Sequence, residues 1–201
     1  MGIFVFAFTA TGKSSVAKKY KNVIDMESTL YKYIGNDLED ESLKSTSRFL
    51  NEEWPENYFK ALKEVKDKYD YILVADEICN DFILNNGYEY WYVYPKRELK
   101  EEYLNRCKKR GNNEEFISWY SKLWDEWIDK CEEDKCASKK IKLNSNEYLE
   151  DILPNLKLKK WIKEMTLMNE NKTNINWLIL FYSNFYRIPL FTKFCDGFNL
   201  A

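Results

Sequence analysis

Short apolar runs alternate along the chain with longer amphipathic stretches. Residues 3–8 read Ile-Phe-Val-Phe-Ala-Phe without a polar break. A run this short, closed by a Thr/Gly turn, predicts a strand buried on both faces. The same pattern predicts strands near 22–26, 71–75, 89–94 and 140–143. Between them the period lengthens. Residues 13–20 predict a helix, and Trp54-Pro55 opens another in which Tyr58, Phe59, Leu62 and Val65 keep helical spacing. Residues 98–110 carry Glu early and Lys/Arg late, as the helix dipole favours, and Gly111 ends them. Asn113 caps a further helix with an apolar stripe of Phe116, Tyr120, Leu123, Trp124, Trp127 and Cys131. Another helix begins in 147–152. Strands alternating with helices predict right-handed crossovers and a parallel sheet covered on both faces, with strand 71–75 beside the first.

The polar stretch 36–53 predicts a mobile loop or lid. The composition changes after Pro154, so residues 1–155 are expected to form one domain and 156–201 an extension packed on its core. In that extension 177–182 is strongly apolar, but Asn184, Arg187 and Pro189 interrupt its continuation. It falls short of the ~20 apolar residues that span a bilayer. Docking on the domain, or on a second subunit in a homodimer, is the expected use of its aromatic side chains.

Charge and composition narrow the chemistry. The 201 residues carry a net charge of −2 with both signs interspersed, which gives no support to binding a long nucleic acid. There is no histidine, so Ser-His-Asp and Cys-His catalysis and His-ligated zinc are excluded. Five scattered cysteines, none in a C-x-x-C pair, predict reduced structural thiols and a cytoplasmic protein.

The remaining chemistry centres on Ala7-Phe-Thr-Ala-Thr-Gly-Lys-Ser14, between the first strand and the first helix. A G-x-x-x-x-G-K-[ST] loop turns backbone N–H groups toward phosphate oxygens. Here Ala7 stands at the first glycine position. Thr9, Ala10, Thr11, Gly12, Lys13, Ser14 and Ser15 are the expected nucleotide contacts, with Lys13 on the β- and γ-phosphates and Ser14 on Mg²⁺. Asp76 follows an apolar strand and is read as the second metal ligand, although acids there can also simply begin a solvated loop. Asp25 closes the second strand on the same sheet edge. It is the candidate to orient and deprotonate an acceptor hydroxyl, with Glu27 second and a turn-forming role the alternative. Arg97, Arg106 and Arg110 lie on or beside one helix, and the last two share a face.

With these pieces in order, the chain resembles the P-loop nucleotide-kinase superfamily of nucleoside monophosphate kinases and related small-molecule kinases. More narrowly it is similar to the nucleotide-kinase-like proteins of bacteriophages and prophages. The matching segments are the loop through Ser14, Val23-Ile-Asp25, Asp70-Tyr-Ile-Leu-Val-Ala-Asp76, and the stretch from Tyr94-Pro-Lys-Arg97 through Arg106 to Arg110-Gly-Asn112. Trp124-Asp125 and Glu147-Tyr-Leu149 fit the same pattern. The resemblance implies a three-layer α/β/α P-loop NTPase fold, ATP and Mg²⁺ on the loop, and a helical lid over about 97–135 carrying catalytic Arg106 and Arg110 beside catalytic Lys13 and Asp25. It implies transfer of the ATP γ-phosphate to a small acceptor, a nucleoside or nucleotide. A 5′-polynucleotide kinase and a non-catalytic nucleotide-binding or ATPase switch protein are the alternatives.

Overall fold

The computed structural model describes residues 1–34, 49–154 and 156. Most of the 36–53 loop, and the 156–201 extension beyond its first residue, lie outside the described residues. Residues Met1–Pro154 form one compact unit.

Five strands form one parallel sheet: β1 (Ile3–Ala7), β2 (Val23–Asp25), β5 (Tyr71–Val74), β6 (Tyr90–Pro95) and β7 (Lys139–Leu143), in the order β2-β5-β1-β6-β7. The expected pairing of the 71–75 strand with the first is present, with Ile3 opposite Tyr71 and Phe6 opposite Val74. On its other side β1 pairs with β6, Phe4 opposite Tyr90. All four residues of β5 and the last four of β1 are buried, as strands covered on both faces require.

Strand order fixes where the helices go. The first crossover, through α1 (Lys13–Lys19), carries the chain from β1 outward to β2. The next, through α3 (Glu56–Val65), returns it toward β1, and α4 (Cys79–Asn85) carries it past β1 to β6. Right-handed crossovers running in opposite directions place their helices on opposite faces. The packing agrees. Phe4, Phe6, Ile72, Val74 and Tyr90 share one face and pack with Tyr58 and Leu62 of α3 and with Cys79, Phe82 and Ile83 of α4. The arrangement is compatible with three layers. The connection leaving β1 runs one way and those leaving its neighbours β5 and β6 run the other, and the crevice at the carboxyl ends of such strands is where open α/β sheets bind ligands.

After β6 a 3-10 turn (Arg97–Leu99) leads into α5 (Lys100–Lys109) and the long α6 (Glu114–Glu133). Asn113 caps α6 as expected, its side chain accepting from the Phe116 N–H at 2.8 Å. These two helices bury Tyr103, Cys107, Tyr120, Trp124 and Ile128 with Tyr94 of β6 in a second core cluster. Trp124 and Tyr120 are completely buried, whereas Trp119 is 48% exposed. The 97–135 segment, expected from the sequence to be a lid, contributes Tyr120 and Trp124 to this core. Lifting it would expose several large side chains, each stabilising by roughly 1.5–3 kcal/mol. Gly111 (φ +87°) is open, with nothing within 4 Å of where its Cβ would be.

Further elements carry no signal in the apolar pattern. After β2 come α2 (Thr29–Lys32) and an antiparallel pair, β3 (Tyr33–Ile34) with β4 (Phe49–Leu50). Two-residue strands have no period to read. The helix expected to begin in 147–152 is α7 (Leu149–Ile152), one turn long.

Candidate active site

Strand β1 ends at Ala7, and the Phe8 N–H still donates to the Val93 carbonyl at 3.1 Å. The chain then turns tightly. The Thr11 hydroxyl donates to the Phe8 carbonyl at 2.7 Å, and Thr11 is fully buried. Ala10 takes φ +63° and Gly12 φ +93°. Glycine adopts that region freely, but for alanine it costs on the order of 1–2 kcal/mol. The Gly12 carbonyl accepts from Val16 N–H at 3.0 Å and starts α1. Ser14 and Ser15 are exposed in its first turn. The Thr9 carbonyl accepts from the Tyr120 hydroxyl at 3.4 Å.

Lys13 folds back over the loop. Its ammonium donates to the Ala7 carbonyl at 2.9 Å and to the Phe8 carbonyl at 3.1 Å. Burial lowers its pKa from the ordinary lysine value, Asp25 and Glu27 oppose that shift, and Arg110 adds to it. The ammonium thus sits at the strand end with partial charge compensation, a position suited to an anionic ligand.

The Ser14 hydroxyl donates to Asp25 Oδ2 at 2.8 Å. Burial raises the Asp25 pKa, while the Ser14 hydrogen bond, Lys13 and Arg110 act against it. Asp76 lies elsewhere in the network. Its carboxylate accepts from Ser28 Oγ at 3.2 Å and from Ile78 N–H at 3.3 Å, and lies 3.7 Å from the Lys32 ammonium. Ser14 and Asp76 are the two metal ligands expected from the sequence; the carboxylate hydrogen-bonded to Ser14 is Asp25. The reason is topological. Val74 ends β5 and Ala75 intervenes before Asp76, so Asp76 has left the strand, whereas Asp25 is still paired within β2, opposite Leu73. Glu27 is exposed and accepts from the Thr29 hydroxyl at 2.7 Å.

The arginines separate into three roles. Arg97 pairs with Asp125 at 3.0 Å, and with Asp129, on α6. Arg110 is exposed, and its charge acts on Lys13, Asp25 and Cys107. Arg106 is engaged through both terminal nitrogens. It donates to the carbonyls of Ala10 and Glu147 at 3.3 Å and to Glu102 at 2.5 Å. Its guanidinium lies 4.4 Å from the Tyr103 ring centre and 4.1 Å from that of Tyr148.

The segment between β7 and α7 contributes more than the local sequence suggests. The Leu149 N–H donates to the Thr11 carbonyl at 3.0 Å. A Cβ on Gly12 would lie 3.4 Å from Tyr148 Cδ1. Nothing in the pattern around 144–149 marks these residues; only the likeness of Glu147-Tyr-Leu149 to a family segment points to them. Among the described residues no group of three or more Cys, Asp or Glu could hold a metal ion alone. None of their helices is long and apolar enough to cross a membrane.

Fold and site together define an α/β protein whose five-stranded parallel sheet presents a lysine-bearing turn at the end of its central strand. No family model matches the chain, and no curated protein matches it.

Proposed function

We propose that the chain is an ATP-dependent phosphotransferase that binds ATP·Mg²⁺ on the 7–15 loop and transfers the γ-phosphate to a small acceptor, a nucleoside or nucleotide. The observation that carries this reading is the placement of the Lys13 ammonium over the Ala7 and Phe8 carbonyls, with the Ser14–Asp25 pair alongside. Lys13 would meet the β- and γ-phosphate oxygens, exchanging loop carbonyls for charged acceptors. Ser14 and Asp25 suit Mg²⁺, which takes few protein ligands and fills the rest with water and phosphate oxygens. Bound there, the ion would neutralise phosphate charge in transfer.

This reading exchanges the parts of the two aspartates. Asp25 belongs with Ser14 on the metal side. Asp76, beside Ser28 and Lys32, belongs with the acceptor: its carboxylate orients a hydroxyl, and Lys32 offers a cation to an acceptor phosphate. Arg110 is the exposed arginine whose charge reaches the Lys13 and Asp25 neighbourhood, and it is assigned the transferring group. A cytoplasmic setting is consistent with the free thiols of Cys79, Cys107, Cys131 and Cys136.

The test is a phosphotransfer screen with radiolabelled ATP and Mg²⁺ against nucleosides, nucleoside monophosphates, sugars and 5′-hydroxyl oligonucleotides. Transfer to a nucleoside or nucleotide, lost in Lys13→Ala, is expected. ATP binding without transfer to any acceptor would move the protein to the non-catalytic class. Transfer confined to oligonucleotides would make it a polynucleotide kinase.

A further inference from the structure

We propose that Arg106 is a positioning residue: it locks the 9–12 turn from behind and does not contact the transferred phosphate. Three observations converge on this. The guanidinium lies over both the Tyr103 and Tyr148 rings, 4.4 and 4.1 Å from their centres. Glu102 fixes one nitrogen, and the same carboxylate accepts from the Ser145 hydroxyl at 2.8 Å and the Asn146 N–H at 3.0 Å, tying α5 to the turn after β7. The terminal nitrogens also donate to the Glu147 and Ala10 carbonyls. Both terminal nitrogens are committed to these acceptors, so neither turns onto a ligand without dismantling the cluster.

The residue it grips is the one that needs gripping. Ala10 is held at φ +63° without the freedom of a glycine. Residues 9–12 of an unbraced loop would exchange among conformations, and only a fraction of molecules would present their amides correctly. The Leu149 N–H to Thr11 carbonyl bond and the Tyr148 ring beside Gly12 act on the same turn, so the 144–149 segment and Arg106 form one clamp. Only Arg supplies both the planar stack and the forked donors, so lysine does not replace it.

The consequence for nucleotide affinity rests on the phosphate-loop reading above, whereas the brace itself does not. The experiment is amide hydrogen exchange on the full chain without ligand and with saturating ATP·Mg²⁺, paired with ATP·Mg²⁺ titration. It uses Arg106→Lys, Arg106→Ala and Tyr148→Leu, with Arg97→Gln as a surface ion-pair control. Exchange at Leu149 and Val16, whose N–H groups bond the Thr11 and Gly12 carbonyls, is expected to rise about tenfold or more in the Arg106 variants, the loss of one charge-assisted hydrogen bond. Amides of β1 and β5 should keep their protection, which a general loss of stability would not allow. ATP affinity should fall about tenfold because fewer loops are competent, and saturating ATP should restore the protection of Leu149 and Val16. Tyr148→Leu should move the same amides less, and Arg97→Gln should leave them unchanged. Unaltered exchange at these two amides in Arg106→Lys and Tyr148→Leu would overturn the proposal. So would Arg106→Lys weakening ATP binding while they stay as protected in the free protein as in wild type, since that is the mark of a phosphate contact. A loosened loop in a protein that does not bind ATP would uphold the brace and sink the phosphotransferase reading.

Discussion

Replacing Lys13 with methionine separates ligand binding from folding. The methionine keeps the length of the side chain and removes the charge. In the free protein that ammonium is held at some cost, because burial lowers its pKa from the ordinary lysine value. A lysine whose folded pKa lies below its unfolded one contributes more stability as pH rises toward the unfolded value. Below the folded pKa, where the amine is charged, the contribution is therefore at its least favourable. The substitution ends that cost but unpairs the Ala7 carbonyl; the Phe8 carbonyl keeps its bond from Thr11. An unsatisfied carbonyl costs about 1–3 kcal/mol, and release from burying a charge offsets a similar amount. The free Lys13→Met protein should thus unfold within about 1 kcal/mol of wild type. Binding behaves differently. Losing one charged donor pair to phosphate costs about 3 kcal/mol, more than a hundredfold in Kd. At an ATP·Mg²⁺ concentration of about 100 times the wild-type Kd, wild type gains about 2.7 kcal/mol and the variant less than roughly 0.4 kcal/mol. Urea unfolding with and without ATP·Mg²⁺ measures both quantities. A free protein destabilised by more than about 2 kcal/mol, with its ligand-induced shift intact, would refute the reasoning and make Lys13 a structural clip on the strand end.

The two aspartates should respond differently. Asp25→Asn is expected to weaken Mg²⁺-dependent ATP binding, and Asp76→Asn to slow transfer at near-normal affinity; the opposite pattern in calorimetry and single-turnover assays would restore the order read from sequence. Because burial raises the folded pKa of Asp25, its stability contribution is greatest in acid and is lost as pH rises through that pKa, while metal binding needs the ionised form. ATP·Mg²⁺ affinity in wild type should therefore fall as pH drops through the raised Asp25 pKa, and a titration of Asp25→Asn should lack that dependence. Gly12→Ala, strained at φ +93° and with its Cβ 3.4 Å from Tyr148, should cost about 1–2 kcal/mol in thermal unfolding and reduce ATP affinity; an unperturbed variant would show that the turn does not require glycine. Trp124→Ala should cost about 3–5 kcal/mol, since the ring is fully buried, whereas a true lid would tolerate it in chemical denaturation.

That last contrast shows what the sequence can and cannot disclose. Strands β1, β5 and β6 were legible because each is apolar on both faces, and the β1–β5 adjacency followed from the alternation of elements. The turn after β1 was legible because its Gly-Lys-Ser sits between a buried strand and a helix. The stripe on α6 was legible as well, but a helix that caps a pocket and one that fills a core carry the same stripe. The period says which face is apolar, not what it meets. The Ser14–Asp25 pair was not legible because it depends on how far beyond the pairing with β5 each carboxylate lies. Arg106 was legible only as a cation near the site. Its partners Ala10 and Glu147 stand 96 and 41 residues away, and no local pattern records such a convergence.

The position of β1 at the middle of the sheet divides the site by durability. The turn bearing Lys13 grows from the strand with a neighbour on each side, whereas Asp25 ends the three-residue edge strand β2 and the 144–149 clamp comes after the opposite edge, β7. Edge elements open with less free energy than central ones. Fluctuations that peel either margin would remove Asp25 or slacken the clamp while the central strands stay folded. On mild warming, function should fade before the spectroscopic signature of the fold does. A stabilising mutation at the margins would then prolong activity more than the same gain placed in the middle.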